Sequence, residues 1–171
     1  LRKDAVKHAE ETRYQILAIQ REGNRMFAQH LAAAKITPSQ AEVIALLSQF
    51  GTLSLKAMGE MLVCETGESP SGLISRMVSR GLVEKVKDKA DGRALIISLT
   101  SMGQDLFDSV VKPSEDALHG MLESVFNLQE LEEFLSSLTR LSSALGSDAA
   151  IKTRTASERQ NCRTPSLSNF N

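Results

Sequence analysis

Residues 37–100 read TPSQAEVIALLSQFGTLSLKAMGEMLVCETGESPSGLISRMVSRGLVEKVKDKADGRALIISLT, and the punctuation of this stretch decides the fold. Thr37-Pro38-Ser39-Gln40 opens a helix with a hydroxyl cap, a proline at the first helical position and a Gln able to close a capping box. Val43, Ile44, Leu46 and Leu47 supply its buried face, and it stops near Phe50-Gly51. Thr52 or Ser54 can cap a second helix, which carries Leu55, Met58, Met61 and Leu62. The chain turns polar from Cys64 to Pro70, and Ser69-Pro70 repeats the cap-and-proline start. That third helix runs through Leu73, Ile74, Met77 and Val78 to Arg80-Gly81, where glycine can take the left-handed closing conformation. Leu82 to Lys87 and Ala94 to Leu99 read as strands around a loop containing Asp91-Gly92. Three helices and a hairpin, with cations on the last helix and in the hairpin, are the plan of a winged helix-turn-helix. The expected fold is mainly α with a small β-hairpin wing.

Outward from this stretch the pattern is helical. Residues 3–33 read as one helix, with Val6, Ile16, Leu17, Met26, Phe27 and Leu31 at helical spacing and a plausible bend at Gly23-Asn24. Thr100 caps another, over about 101–124, which Pro113 is expected to kink or break. Asn127-Leu128-Gln129-Glu130 opens a final helix whose Leu131, Phe134, Leu135, Leu138, Leu141 and Leu145 fall in near-heptad spacing. From Gly146 onward periodicity fades. The expected organisation is therefore an N-terminal dimerisation helix (1–36), a winged domain (37–100), C-terminal dimerisation helices (101–146) and a disordered tail (147–171). The leucine stripe of the last helix is too long for a small winged domain to cover. Packing it between two copies would give an isologous homodimer.

Composition narrows the function classes. Hydrophobic residues make up 42% of 171, enough for a sizeable core, while the net charge of −1 means that any affinity for a polyanion must be local. No apolar run approaches the ~18 residues of a membrane span, and the charged N-terminal pattern does not read as a signal peptide. A cytoplasmic location is the default expectation. Cys64 and Cys162 form neither a zinc spacing nor a disulfide framework, and His8, His30 and His119 do not fall at metal-ligand spacing. No metal site and no cofactor are expected. Nor does a nucleophile–base cluster, a phosphate-binding glycine loop or a paired carboxylate cleft emerge, so an enzyme is not expected.

The local charge lies where the plan would use it. A recognition helix over about 69–80 would place Ser69, Ser71, Ser75 and Arg76 nearest the base edges of a major groove, with Arg80 on the same face as Arg76. A wing over about 84–97 carries Lys85, Lys87, Lys89 and Arg93. From Arg76 to Arg93 there are six cations against three acids. Arg93, beside Gly92, could enter a narrow minor groove, and Asp91 could fix its guanidinium by a charge-assisted hydrogen bond. The expected DNA-binding set is Ser69, Ser71, Ser75, Arg76, Arg80, Lys87, Lys89, Asp91 and Arg93. The competing reading is a helical protein-interaction module whose winged domain does not bind DNA.

The run Asp88-Lys89-Ala90-Asp91-Gly92-Arg93-Ala94, followed by Leu99-Thr100-Ser101-Met102-Gly103 and preceded by Arg80-Gly81-Leu82-Val83, resembles the wing and its flanks in MarR-family transcriptional regulators. The resemblance spans roughly residues 10–145 and is specific between about 55 and 103. It implies an obligate homodimer on pseudo-palindromic double-stranded DNA, with the wing in the minor groove; a repressor is the expected role, with activation left open by the sequence. It also implies relief of binding by a small molecule or oxidant, and it places Asp91 and Arg93 on the family's Asp-x-Arg wing pair. Ala90 stands where many members carry another Arg, and Gly72 where a basic or polar side chain is common. The effector is unknown from sequence; Met26, Phe27, His30 and Met58 are candidate linings of the crevice that the family implies. Cys64, near the recognition helix, could couple oxidation to release, although a buried small apolar role is the favoured reading.

Overall fold

The computed structural model describes residues 2–63, 67, 69–87 and 95–161. Helix α1 (Arg2–Leu31) leads through a 3₁₀ turn (Ala32–Ala34) into α2 (Pro38–Phe50). A short β1 (Leu53–Ser54) precedes α3 (Leu55–Met61), and α4 (Pro70–Ser79) is followed by β2 (Val83–Lys87) and β3 (Leu95–Leu99). Helix α5 (Ser101–Leu106), a π-helical turn (Phe107–Val111) and α6 (Lys112–Val125) form a continuous run, and α7 (Leu128–Leu145) and α8 (Ala149–Asn161) follow.

Local chemistry sets most of these boundaries. The Thr37 side chain accepts from the Gln40 amide while the Gln40 side chain accepts from the Thr37 amide, closing the capping box of α2. Ser54 caps α3 through the Ala57 amide at 3.1 Å, and Ser69 caps α4 through the Gly72 amide at 3.3 Å. Gly81, at φ 70°, ends that helix, with the Leu82 amide donating back to Met77 O at 3.0 Å. Asn127 and Glu130 form a second capping box at the start of α7.

The sheet has three antiparallel strands in the order β1-β3-β2, with Leu53 opposite Ile97 and Val83 opposite Leu99. The strand β1 is absent from the sequence-based expectation because two residues cannot display an alternation. The core is built from α2, α3, α4 and the sheet: Val43, Ile44, Leu46, Leu47, Met58, Met61, Leu73, Ile74, Met77, Leu82, Val83 and Ile97 are all buried, closed off by Leu31 and Val111.

Two expectations change. The run from Ser101 to Val125 is not broken at Pro113. A proline has no N–H to give and its ring crowds the carbonyl four residues back; the chain widens one turn beforehand, so that the Lys112 amide bonds to Phe107 O. The Ser114 hydroxyl then satisfies Val110 O at 2.7 Å. Helix α1 is a single helix through Gly23-Asn24, in keeping with the one helix expected over residues 3–33. Within the stretch expected to be a disordered tail, Ala149–Asn161 forms α8. Its Ser and Thr content hid good helix formers such as Ala149, Ala150, Lys152 and Arg154, and its anchors lie far away in sequence. Residues 162–171 fall outside the described residues.

Candidate nucleic-acid interface

Helix α4 is amphipathic at helical spacing. Leu73, Ile74 and Met77 are buried against α3 and the sheet, whereas Ser71, Ser75, Arg76, Ser79 and Arg80 are exposed. The N-cap geometry leaves Ser69 and Ser71 with their hydroxyls 3.0 Å apart on the exposed end of the helix. This is the end that a groove-reading helix offers to base edges. The approach of α3 to α4 is close: a Cβ on Gly59 would sit 3.3 Å from Pro70 Cγ.

Arg76 and Arg80 share a helix face but have different surroundings. Arg76 stays exposed on the outer side. Arg80 folds back: its Nη1 donates to Lys35 O at 2.9 Å and to Gln40 Oε1 at 3.1 Å, and its Nη2 lies 3.4 Å from Ala34 O. The sequence places Arg80 among the expected DNA contacts; in the structure it also ties the end of α4 to the connection from α1 to α2. Its partners stand 40 or more residues away, so no local signal marked it.

The two arginines also line a crevice of about 1020 Å³ with Arg21, Arg25 and Lys35, and among the described residues no carboxylate shares its walls. Arg25 is partly neutralised by Glu22, at 3.0 Å. Among the described residues this face therefore gathers cationic side chains on a chain of net negative charge.

At the wing, Lys85 and Lys87 are exposed on β2. Lys89, Asp91 and Arg93 lie outside the described residues, as does Cys64. The base of the wing is firmly tied to the recognition helix. The Thr100 hydroxyl donates to Gly81 O at 2.6 Å and accepts from the Gly103 amide at 3.1 Å, and the Thr100 amide donates to Leu82 O. A Cβ on Gly103 would lie 2.1 Å from Leu82 O, so only glycine fits there.

A second cavity, about 680 Å³, lies between α2, the π-turn, α6 and α8 and includes Phe27, Glu42, Glu115, His119 and Arg154 in its lining. Burial holds the Glu115 carboxyl above its usual range, against the pull of His119. Of the expected crevice residues only Phe27 lines this cavity; Met58 is fully buried in the core. Among the described residues, no group of three or more His, Cys, Asp or Glu could hold a metal ion, and no helix is long and apolar enough to cross a membrane.

The capped α4, the three-stranded sheet and the basic outer face together define a winged helix-turn-helix protein of the DNA-binding class. No family model matches the chain. It is 35% identical over 108 residues to the uncharacterized HTH-type transcriptional regulator YsmB of Bacillus subtilis, covering 62% of this chain and 71% of that one. MepR of S. aureus in its DNA-binding conformation superposes with a TM-score of 0.69 at 25% identity, over 78% of this chain and 98% of that one. A MarR mutant from E. coli complexed with operator DNA superposes with a TM-score of 0.64 at 20% identity, over 75% and 91% of the two chains. The chain belongs to the MarR family of winged-helix transcriptional regulators, and its function is that of a DNA-binding regulator.

Proposed function

We propose that the protein is a homodimeric repressor, acting in the cytoplasm on a pseudo-palindromic duplex site, with α4 in the major groove and the wing in the minor groove. The observation that carries this is the outer face of α4, where Ser69, Ser71, Ser75 and Arg76 stand exposed on a helix fixed at both ends. Lys87 and, from the sequence, Lys89, Asp91 and Arg93 would extend that surface along the wing. Arg80 serves it as a tether at the end of α4.

The dimer is supported by what the single chain leaves uncovered. No residue of α7 is buried, and Leu128, Leu135 and Leu145 are 74%, 61% and 73% exposed. Leu138 and Leu141 continue that stripe beside Ile16 and Ile19 of α1. A second copy would bury both faces and set two α4 helices about one turn of DNA apart. The basic crevice suits a small anionic effector, whose binding among Arg21, Lys35, Arg76 and Arg80 would compete with phosphate. Regulation rather than catalysis is the activity.

Selection of bound duplexes from a random pool tests this reading. Enrichment of an inverted repeat with half-sites about one turn apart, ~10–10.5 base pairs, is the expected result. A pool that stays random at moderate salt rejects it.

A further inference from the structure

Helix α8 reaches across the molecule to the reading head. Arg154 Nε donates to Met61 O at 2.7 Å, and its Nη2 pairs with the Glu42 carboxylate of α2. The same Glu42 oxygen accepts from the Val63 amide at 2.8 Å. Met61 is the last residue of α3, and Val63 stands at the start of the connection to α4. The Arg154 and Glu42 side chains are 28% and 10% exposed, so the pair is held largely out of water. A second tie joins Gln49 Nε2 of α2 to Glu158 Oε1 of α8 at 2.7 Å. At its other end α8 is fastened to α7: the Asp148 carboxylate accepts from the Ser143 hydroxyl and pairs with Lys152 at 2.7 Å. Helix α8 thus spans from the end of the long apolar helix α7 to the point where the chain leaves α3 for α4.

We infer that α8 is a built-in brace and that Arg154 is a positioning residue for DNA binding, holding the exit of α3 so that α4 is presented in its reading orientation. The inference rests on the DNA-binding reading above. Removing the guanidinium would take the ion-pair partner from a largely buried carboxylate and the donor from Met61 O. The exit of α3 would loosen, and the cost of fixing it again would fall on DNA binding. Because Arg154 acts through Glu42 and Met61 and not through phosphate, its loss should leave the number of counterions released on binding unchanged.

The test uses full-length Arg154→Ala on the duplex selected by the wild-type chain, across a range of salt. The expected result is about tenfold weaker binding at each salt concentration with the wild-type slope of log affinity against log salt. Amide exchange at Val63 should quicken in the absence of DNA. Wild-type affinity in the variant overturns the inference. So does a slope reduced by about one counterion, which would make Arg154 a direct phosphate contact. Should Arg154→Ala fail to fold, Arg154→Lys, which lacks the fork that serves Met61 O and Glu42 together, is expected to bind several-fold more weakly with unchanged slope; wild-type affinity there overturns the inference equally. A wild-type chain that selects no duplex rejects the DNA-binding reading itself, a different result from a wild type and a variant that bind alike.

Discussion

Arg80 Nη1 lies 3.1 Å from Gln40 Oε1, the same oxygen that accepts from the Thr37 amide to close the capping box of α2. One acceptor therefore joins the start of the first helix of the reading head to the end of its last. Arg80→Ala is expected to destabilise the fold by about 1 kcal/mol, a modest figure because the arginine is partly solvated. Arg80→Lys should recover little of it, since one ammonium cannot reproduce a fork serving Gln40, Lys35 and Ala34. Urea denaturation checks both; wild-type stability in Arg80→Ala would remove the tether role.

Arg76 offers the contrasting case. Exposed on the outer face of α4, it should matter to DNA and little to folding. Arg76→Ala is expected to weaken binding by about 1–3 kcal/mol while leaving the melting temperature nearly unchanged. A base contact would appear as relaxed selection at one position of each half-site. A phosphate contact would instead lower the salt slope by about one.

Gly103 faces a backbone carbonyl that a methyl group would overlap, 2.1 Å from Leu82 O. That carbonyl belongs to the junction of recognition helix and wing and cannot swing aside as a flexible side chain could. Gly103→Ala is expected to cost about 2–3 kcal/mol or more, measured by thermal unfolding. A variant as stable as the wild type would show that α5 can slide relative to Leu82.

The apolar face of α7 predicts its own disruption. Leu138 lines both grooves beside that helix, one with Ile16 and Ile19 and the other with Leu145 and Ile151. Leu138→Glu would set a carboxylate into each half of the proposed interface and should weaken the proposed dimer by about a hundredfold or more. Sedimentation equilibrium reads the change directly, and an unchanged dimer would place the interface elsewhere.

Glu115 makes a prediction about pH. Its carboxyl is raised by burial, with His119 and Arg154 acting against the shift. A carboxyl raised in the folded state binds its proton more readily there than in the unfolded chain. Its contribution therefore favours folding in acid and is lost as pH rises from the usual carboxylate range through the raised value. Glu115→Gln should melt about 1–2 °C higher than wild type near neutral pH, and the difference should close on acidification. Equal melting temperatures at neutral pH would count against the burial penalty.

The reading head was legible because its grammar is local. Thr37 and Gln40, Ser69 and Gly72, Asn127 and Glu130 each bond within three residues, so the pattern that writes a helix start is complete in the sequence. The buried faces of α2, α3 and α4 followed from helical spacing, and the order of helices and strands gave the class of fold. The candidate site was only half legible. Ser69, Ser71, Ser75 and Arg76 could be placed on one exposed helix face from spacing alone, whereas the part played by Arg80 could not, because Lys35 and Gln40 are brought to it by packing.

What the sequence determined unaided was therefore the succession of helices and the two longer strands within residues 37–99, their caps and the face of α4 turned outward, all consequences of bonds and periodicities spanning a few residues. Tertiary structure alone decided that Arg80 is tied to the connection from α1 to α2, why residue 103 must be glycine, how the chain passes Pro113, and that α8 exists as a brace. The physical reason is the same in each case. The energy of Arg154 against Glu42, or of Gly103 against Leu82, depends on groups far apart in the chain that meet only once the core between them has packed.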